Sequence, residues 1–169
     1  MLNRELPQRN IELAVTPLAA LGMHKDMEVH PLFDERFVVM AGARNKWVGR
    51  RKVPLRHLIN EPWVLPPPDT LPGMTIAEVF RAEGLPPPEA QIVSFSVPVH
   101  EHLLATGRFI TMLPMSMLRF GNHLRLRPIG VAMFEKTYST GIITLKNRTL
   151  GPVAQLFIEC ALKTAAPLR

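Results

Sequence analysis

One feature constrains this chain more than any other: short apolar runs alternate with stretches of helical period along its length. In a soluble protein that rhythm folds as an α/β sheet with helices packed on its faces. Ile11 to Val15 reads as a short strand closed by Thr16-Pro17, and Leu32 to Ala41 as a second, longer one. Trp63 to Leu65 is a third, stopped by Pro66-Pro67-Pro68, followed by Gln91 to Ser94, Phe109 to Leu113, Leu124 to Ile129 and Ile142 to Leu145. Between them lie the helical stretches. Val53 to Ile59 predicts a short helix with proline near its first position. Thr75 to Gly84 is the clearest: Thr75 and Glu78 have capping-box spacing, Ile76, Val79 and Phe80 form an i, i+3, i+4 stripe, and Gly84 suits a left-handed stop. Ser96 opens a helix to Thr106, with Gly107 as its stop, and Pro114 opens another ended by Gly121. The last helix starts at Pro152, with Val153, Leu156, Phe157, Cys160 and Ala161 on one expected core face, which makes Cys160 core filler.

Composition narrows the partners. With 169 residues, 47% hydrophobic and 20% charged, the chain has the balance of a folded globular protein of one domain or two small lobes. Its 17 prolines punctuate loops and helix starts, with no polyproline tract, repeat or low-complexity linker. A net charge of +6 favours anionic partners without specifying a site. The cations are spread out except for Arg44, Lys46, Arg50, Arg51, Lys52 and Arg56, which read as a solvated loop and short helix or as a partner surface. Only Trp47 interleaves them, too few rings for single-strand stacking. The single cysteine excludes an internal disulfide and a thiolate metal cage. The first residues carry no apolar core of signal-peptide type, and no apolar run reaches the roughly 18 residues of a membrane span, so the cytoplasm is the expected compartment.

Motifs for catalysis are missing. Neither GxxxxGK[ST], GxGxxG nor G-x-S-x-G occurs. His100 and His102 are two apart, which on a helix sends them to different sides, whereas a helical zinc pair needs i, i+4. They read as a solvated helix face, or with Glu101 as a polar rim beside a ligand. Asp34 and Glu35 would face opposite sides of a strand, and Asp69 stands alone in a proline-rich loop. Acid–base chemistry wants two groups in distinct environments, and nothing here nominates them. The expectation is a protein that is not an enzyme and holds no cofactor or metal.

Several segments in order resemble the effector-binding part of LysR-type transcriptional regulators. Leu6 to Val15 is similar to that family's "L-x-x-x-x-ldlai" strand, and Pro31-Leu32-Phe33-Asp34-Glu35-Arg36-Phe37-Val38-Val39-Met40-Ala41-Gly42 to its "pLfdErlvlva" strand. Val53 to Pro66, with Leu55, Leu58, Glu61-Pro62-Trp63-Val64-Leu65, matches "vtLadLaxepwvl" in content and spacing. Leu104 to Pro114 resembles "lvaaGlGialLP", and Leu150 to Glu159 resembles "lsPaaraFie". The resemblance covers residues 2 to 165. It departs where the second family glycine gives way to Arg108 or Phe109. The family's winged helix-turn-helix, linker helix and first sensor elements have no counterpart in these residues.

The resemblance implies a periplasmic-binding-protein-like (type 2) α/β fold of two lobes. Residues 34–130 would form lobe II, and 1–33 with 131–169 an incomplete lobe I, with crossing strands near 31–40 and 128–141. It implies a ligand-sensing domain that binds a small effector between lobes and controls how the parent protein engages DNA and transcription. DNA would be reached only through the absent domain, the parent would be a homo-oligomer, and no membrane is involved. Open α/β sheets bind ligands at the carboxyl ends of strands. That places Thr16 and Pro17 on one side and Pro66, Pro67, Thr70, Ser94, Phe95 and Ser96 on the other. Ser96, at a helix start, is the best anion anchor because free backbone donors and the positive dipole end point outward there. Phe95 would supply one apolar wall and Phe109 or Thr111 the opposite one, and the basic surplus favours a carboxylate or other anion. Each residue also has a plain structural reading: Ser96 as an N-cap, Phe95 as core, Thr16-Pro17 as a strand stop, and the prolines as a rigid loop. The rival functions are a cytoplasmic solute-binding protein of the same fold, an enzyme on that scaffold, and a truncated sensor acting through protein contacts alone.

Overall fold

The computed structural model describes residues 5–18, 25–120, 126–132 and 137–168. Its strands are β1 (Leu13–Pro17), β2 (Met27–Gly42), β3 (Val53–Pro54), β4 (Trp63–Leu65), β5 (Ala90–Val93), β6 (Ile110–Pro114), β7 (Leu126–Pro128), β8 (Val131–Ala132) and β9 (Thr137–Leu145). Its helices are α1 (Leu71–Ala82), α2 (Val97–Ala105), α3 (Ser116–Phe120) and α4 (Pro152–Ala165), with 3-10 turns at Leu55–Leu58 and Ala166–Leu168. The chain divides into two compact units, Met1–Glu35 with Thr137–Arg169 and Arg36–Lys136. The mixed α/β architecture expected from the alternating pattern is present.

In the first unit β1 pairs antiparallel with β9, from Leu13 opposite Thr144 to Pro17 opposite Thr140. The early half of β2 lies beside β9, and Leu32, Ile142, Ile158 and Ala165 close one apolar cluster while Leu6, Met27 and Ile143 close another. The Glu12 carboxylate accepts from Gly151 N at 2.9 Å, setting a negative charge at the start of α4.

Here one expectation is overturned. α4 buries Ala154, Ile158 and Ala165, while Val153 is 82% exposed, Leu156 and Phe157 also face outward, and Cys160 is exposed. Cys160 is therefore not core filler. Residues 154, 158, 161, 162 and 165 repeat at helical spacing just as 153, 156, 157 and 160 do. Periodicity identifies the helix but leaves the choice between two apolar stripes to whichever one meets the sheet.

The second unit is built on the strand order β2-β6-β4-β5, with β7 on β2 and a separate β3–β8 pair. β4, β5 and β6 run parallel, and β2 antiparallel to β6. The helix α1 connects β4 to β5, and α2 connects β5 back across β4 to β6, so the winding reverses at β4. Trp63 sits at the centre, fully buried, its ring edge-on to Phe80 at 5.7 Å and its indole N–H donating to the Leu58 carbonyl at 2.8 Å.

Local departures have local causes. The capping box is not formed, because α1 starts earlier: Thr70 is its N-cap, with the Thr70 hydroxyl accepting from Gly73 N at 3.3 Å, and Thr75 lies buried inside the helix. Pro72 within the first turn, with no N–H to satisfy, makes that earlier start favourable. Gly84 does end the helix, at φ +70°. Val53 to Ile59 forms a strand and a 3-10 turn rather than one short helix. β2 begins at Met27, five residues before the expected Leu32. The Gly121 stop, residues 124–125 of the expected late strand, and part of the 128–141 crossover lie outside the described residues.

The two faces of α4 make a direct test. Ile158→Ala should cost about 2–5 kcal/mol in urea unfolding, the range for truncating a buried aliphatic side chain. Leu156→Ala should stay within about 0.5 kcal/mol, as surface changes do. Equal losses would contradict the observed orientation.

Candidate functional site

Parallel strands have two unlike edges, and in the second unit the carboxyl edge gathers its exposed apolar side chains. Leu71, Met74, Val93, Phe95, Val97 and Val99 are the exposed large hydrophobics of that unit among the described residues. All six fall where β4 and β5 end and α1 and α2 begin. Scattered exposed apolar residues need no explanation, whereas a group confined to one edge does.

Polar groups lie among them. Ser94 follows β5, its N–H donating to Leu65 O at 2.9 Å, and its hydroxyl accepts from Ser96 N at 3.0 Å. Ser96 is the N-cap of α2 but makes no side-chain cap bond, and it is exposed. Pro98 has no N–H, so Val97 and Val99 carry the first-turn donors that lack intrahelical acceptors. Across the loop after β4, the Thr70 hydroxyl donates to Pro67 O at 2.6 Å, fixing the proline turn. Pro66 is buried, Pro67 half-buried, and Phe95 is 60% exposed.

Beneath this loop is an arrangement that sequence reading missed. His100, expected on a solvated face, is 4% exposed. Its Nε2 meets Ser94 O at 2.9 Å and its Nδ1 meets the Thr111 hydroxyl at 3.2 Å, while that hydroxyl lies 2.7 Å from Val64 O. Ser94 O only accepts, so Nε2 carries a hydrogen. The hydroxyl stands between two partners, Val64 O and Nδ1. β4, the end of β5, α2 and β6 are thereby tied together under Ser94. The spacing of His100 and Leu104, both buried, is the i, i+4 signal that marks this inner face of α2.

The remaining candidates are placed differently. Thr111 is fully buried within β6 and supports the site from below rather than forming a wall. Phe109, 9% exposed, precedes β6 at the amino edge, away from Phe95 and the serines, because Ile110 pairs with Trp63 at the start of β4. Thr16 and Pro17 belong to the first unit, where Thr16 is buried and Pro17 ends β1. Among the described residues no group of three or more His, Cys, Asp or Glu is placed to hold a metal ion, and no helix is long and apolar enough to cross a membrane.

Comparison with known proteins bears on this arrangement. Residues 2–166 match the family model described as LysR substrate binding domain. The HTH-type transcriptional regulator GbpR of Azospirillum brasilense is 29% identical over 122 residues, 69% of this chain, and the matched part spans only 34% of GbpR. The regulatory domain of CcmR from Synechocystis, solved with 2-PG, superposes with a TM-score of 0.78 at 14% identity, over 98% of this chain and 78% of that one. HinK, a LysR family regulator from Pseudomonas aeruginosa, gives 0.76 at 21% identity, over 99% of this chain and 58% of HinK. The effector binding domain of QuiR with shikimate gives 0.71 at 17% identity, over 96% of this chain and 76% of that one.

The buried network yields a measurable expectation. Thr111→Val keeps the shape but strips the hydroxyl, leaving Val64 O and a ring nitrogen of His100 short of a partner. The cost should be about 1–3 kcal/mol in denaturant unfolding. A change below about 0.5 kcal/mol would show that the hydroxyl contributes nothing net.

Proposed function

Because the chain belongs to the LysR substrate binding domain family, we propose that it is the ligand-sensing part of a transcriptional regulator and takes its small effector at the carboxyl edge of the second unit. The observation that carries this reading is the confinement of that unit's exposed apolar side chains to the edge where Ser94, Ser96 and the start of α2 also lie. Small-molecule sites join apolar walls to a few placed polar groups, and in open α/β sheets they sit where the winding reverses. Here that point is β4. CcmR and QuiR, of similar fold, were solved with the small molecules 2-PG and shikimate.

In this reading the first unit is a partial lobe I and the second is lobe II. The free N–H groups of Val97 and Val99, with the dipole of α2, favour a carboxylate or another anion, and Phe95 covers the apolar part of the effector. Pro66, Pro67 and Thr70 hold the loop that borders the site. The parent protein would be a cytoplasmic homo-oligomer that reads DNA through a separate domain. Effector binding regulates only if it favours one arrangement of the parent over another, since differential affinity is what shifts a population. Catalysis has no part in this reading.

A thermal-shift screen of the chain against small aliphatic and aromatic carboxylates, shikimate among them, tests it. A true effector at about a hundred times its dissociation constant adds roughly 2.7 kcal/mol and should raise the melting midpoint by several degrees. Phe95→Ala, at an exposed position, should abolish the rise without lowering the unliganded midpoint. Absence of any saturable shift in a chain that melts cooperatively would count against the reading.

A further inference from the structure

The amino edge of the second unit, at the opposite ends of β4, β5 and β6, has its own character. Three segments meet there. The turn after β2 seats on Gly107: Asn45 Nδ2 donates to Gly107 O at 2.9 Å, and a Cβ at Gly107 would stand 2.9 Å from Arg44 Cβ. Gly130 packs on the same turn, its carbonyl accepting from Val53 N at 2.9 Å and its open side facing the backbone of Arg50 and Arg51. β7 places Arg127 opposite Ala41, near the end of β2.

Folding thus draws Arg44, Arg50, Arg51, Lys52, Arg108 and Arg127, all exposed and separated by up to 83 positions along the chain (127 − 44), onto one edge. Residues 43–60, 105–109 and 126–132 contain no Asp or Glu, and Glu83 and Glu89 lie at the other end of this edge, before β5. Glu61, the carboxylate that reaches this turn, is taken by Lys46 at 2.7 Å. Trp47, half-buried, lies under Lys46 at 5.5 Å and Arg50 at 5.0 Å from its ring centre.

We propose that this cationic edge docks the phosphate backbone of duplex nucleic acid. Arginine outnumbers lysine in it, and the guanidinium fork matches phosphate oxygens bidentately. A protein partner would want an aromatic or aliphatic centre in the patch, and the two rings present, Trp47 and the buried Phe109, are covered by cations. A single strand would want exposed rings to stack on, and these segments offer none. Backbone contact supplies affinity and position without sequence information. It therefore leaves the reading of DNA to a separate domain, and because the edge lies at the far ends of the strands from Ser94 and Phe95, it stands independently of the effector site.

The test is fluorescence anisotropy of a labelled duplex of arbitrary sequence titrated with the 169-residue chain, from about 50 mM salt upward. Binding should weaken linearly in log–log form with salt. A variant with Arg44→Gln, Arg51→Gln and Arg108→Gln should bind on the order of tenfold or more weakly at low salt, with a slope shallower by about one per arginine lost. A control of equal charge drawn from the first unit, Arg9→Gln, Lys25→Gln and Lys163→Gln, should retain most of the affinity. The three arginines are also replaced singly, so misfolding of the triple variant does not stop the experiment. No duplex binding at low salt, equal loss in the control, or tighter binding of a poly-glutamate peptide through the same arginines would each overturn the proposal.

Discussion

The burial of Trp63 is the constraint on which the second unit depends. Its ring fills the space between the sheet and α1, edge-on to Phe80, while the indole N–H takes the carbonyl of Leu58. An aromatic pair of this geometry is worth about 0.5–1.5 kcal/mol beyond the area it buries. The hydrogen bond also removes a buried donor that would otherwise cost about 1–3 kcal/mol. The placement matters as much as the energy. The Trp63 backbone pairs with both Ala90 and Ile110, so the residue stands where the three parallel strands meet, and its side chain holds the 3-10 turn before them.

Once those strands are in register, the unit acquires two edges of opposite chemistry. The carboxyl ends open into proline and serine loops leading to α1 and α2, and apolar side chains stay exposed there. The amino ends are closed by the turn after β2 and by the segments around Gly107 and Gly130, which approach too closely for a Cβ to be added without displacement. Close backbone approach at those glycines leaves room for side chains only on the outside, and the outside positions are arginines. A chain with a net charge of +6 thus carries much of its surplus on one edge of one unit.

The carboxyl edge is held from within. His100 and Thr111 join Val64 O and Ser94 O in one buried network, so the loop that presents Ser94 and Ser96 is braced against β4 and β6 through α2 rather than left to its own turn chemistry. A binding loop gains from such bracing because less freedom is lost when a ligand arrives. Gly42 contributes similarly at the other edge: its missing side chain lets the end of β2 press on the carbonyl of Leu104, which ties α2 to the sheet.

Much of this fold is legible in the residues alone, because strands and helices write their periods into the chain and prolines and glycines mark the ends. Trp63 to Leu65 and its proline stop, the Ile76, Val79 and Phe80 stripe, Gly84 as terminator and the family blocks all rest on local pattern. What the pattern leaves open is which of two equivalent choices tertiary contact takes. The helix α4 is apolar on two stripes, and only packing against Ile142 and Leu32 selects Ile158 over Leu156 and Cys160. A histidine two positions from another reads as solvated until Ser94 O before α2 and Thr111 on β6 fold back to occupy its nitrogens. Arg44, Arg108 and Arg127 are far apart in the chain and become neighbours only through strand register. The sequence by itself determined most of the elements and the family, since these depend on neighbours in the chain. The tertiary structure alone decided which faces are buried and which charges meet, since those depend on distance in space.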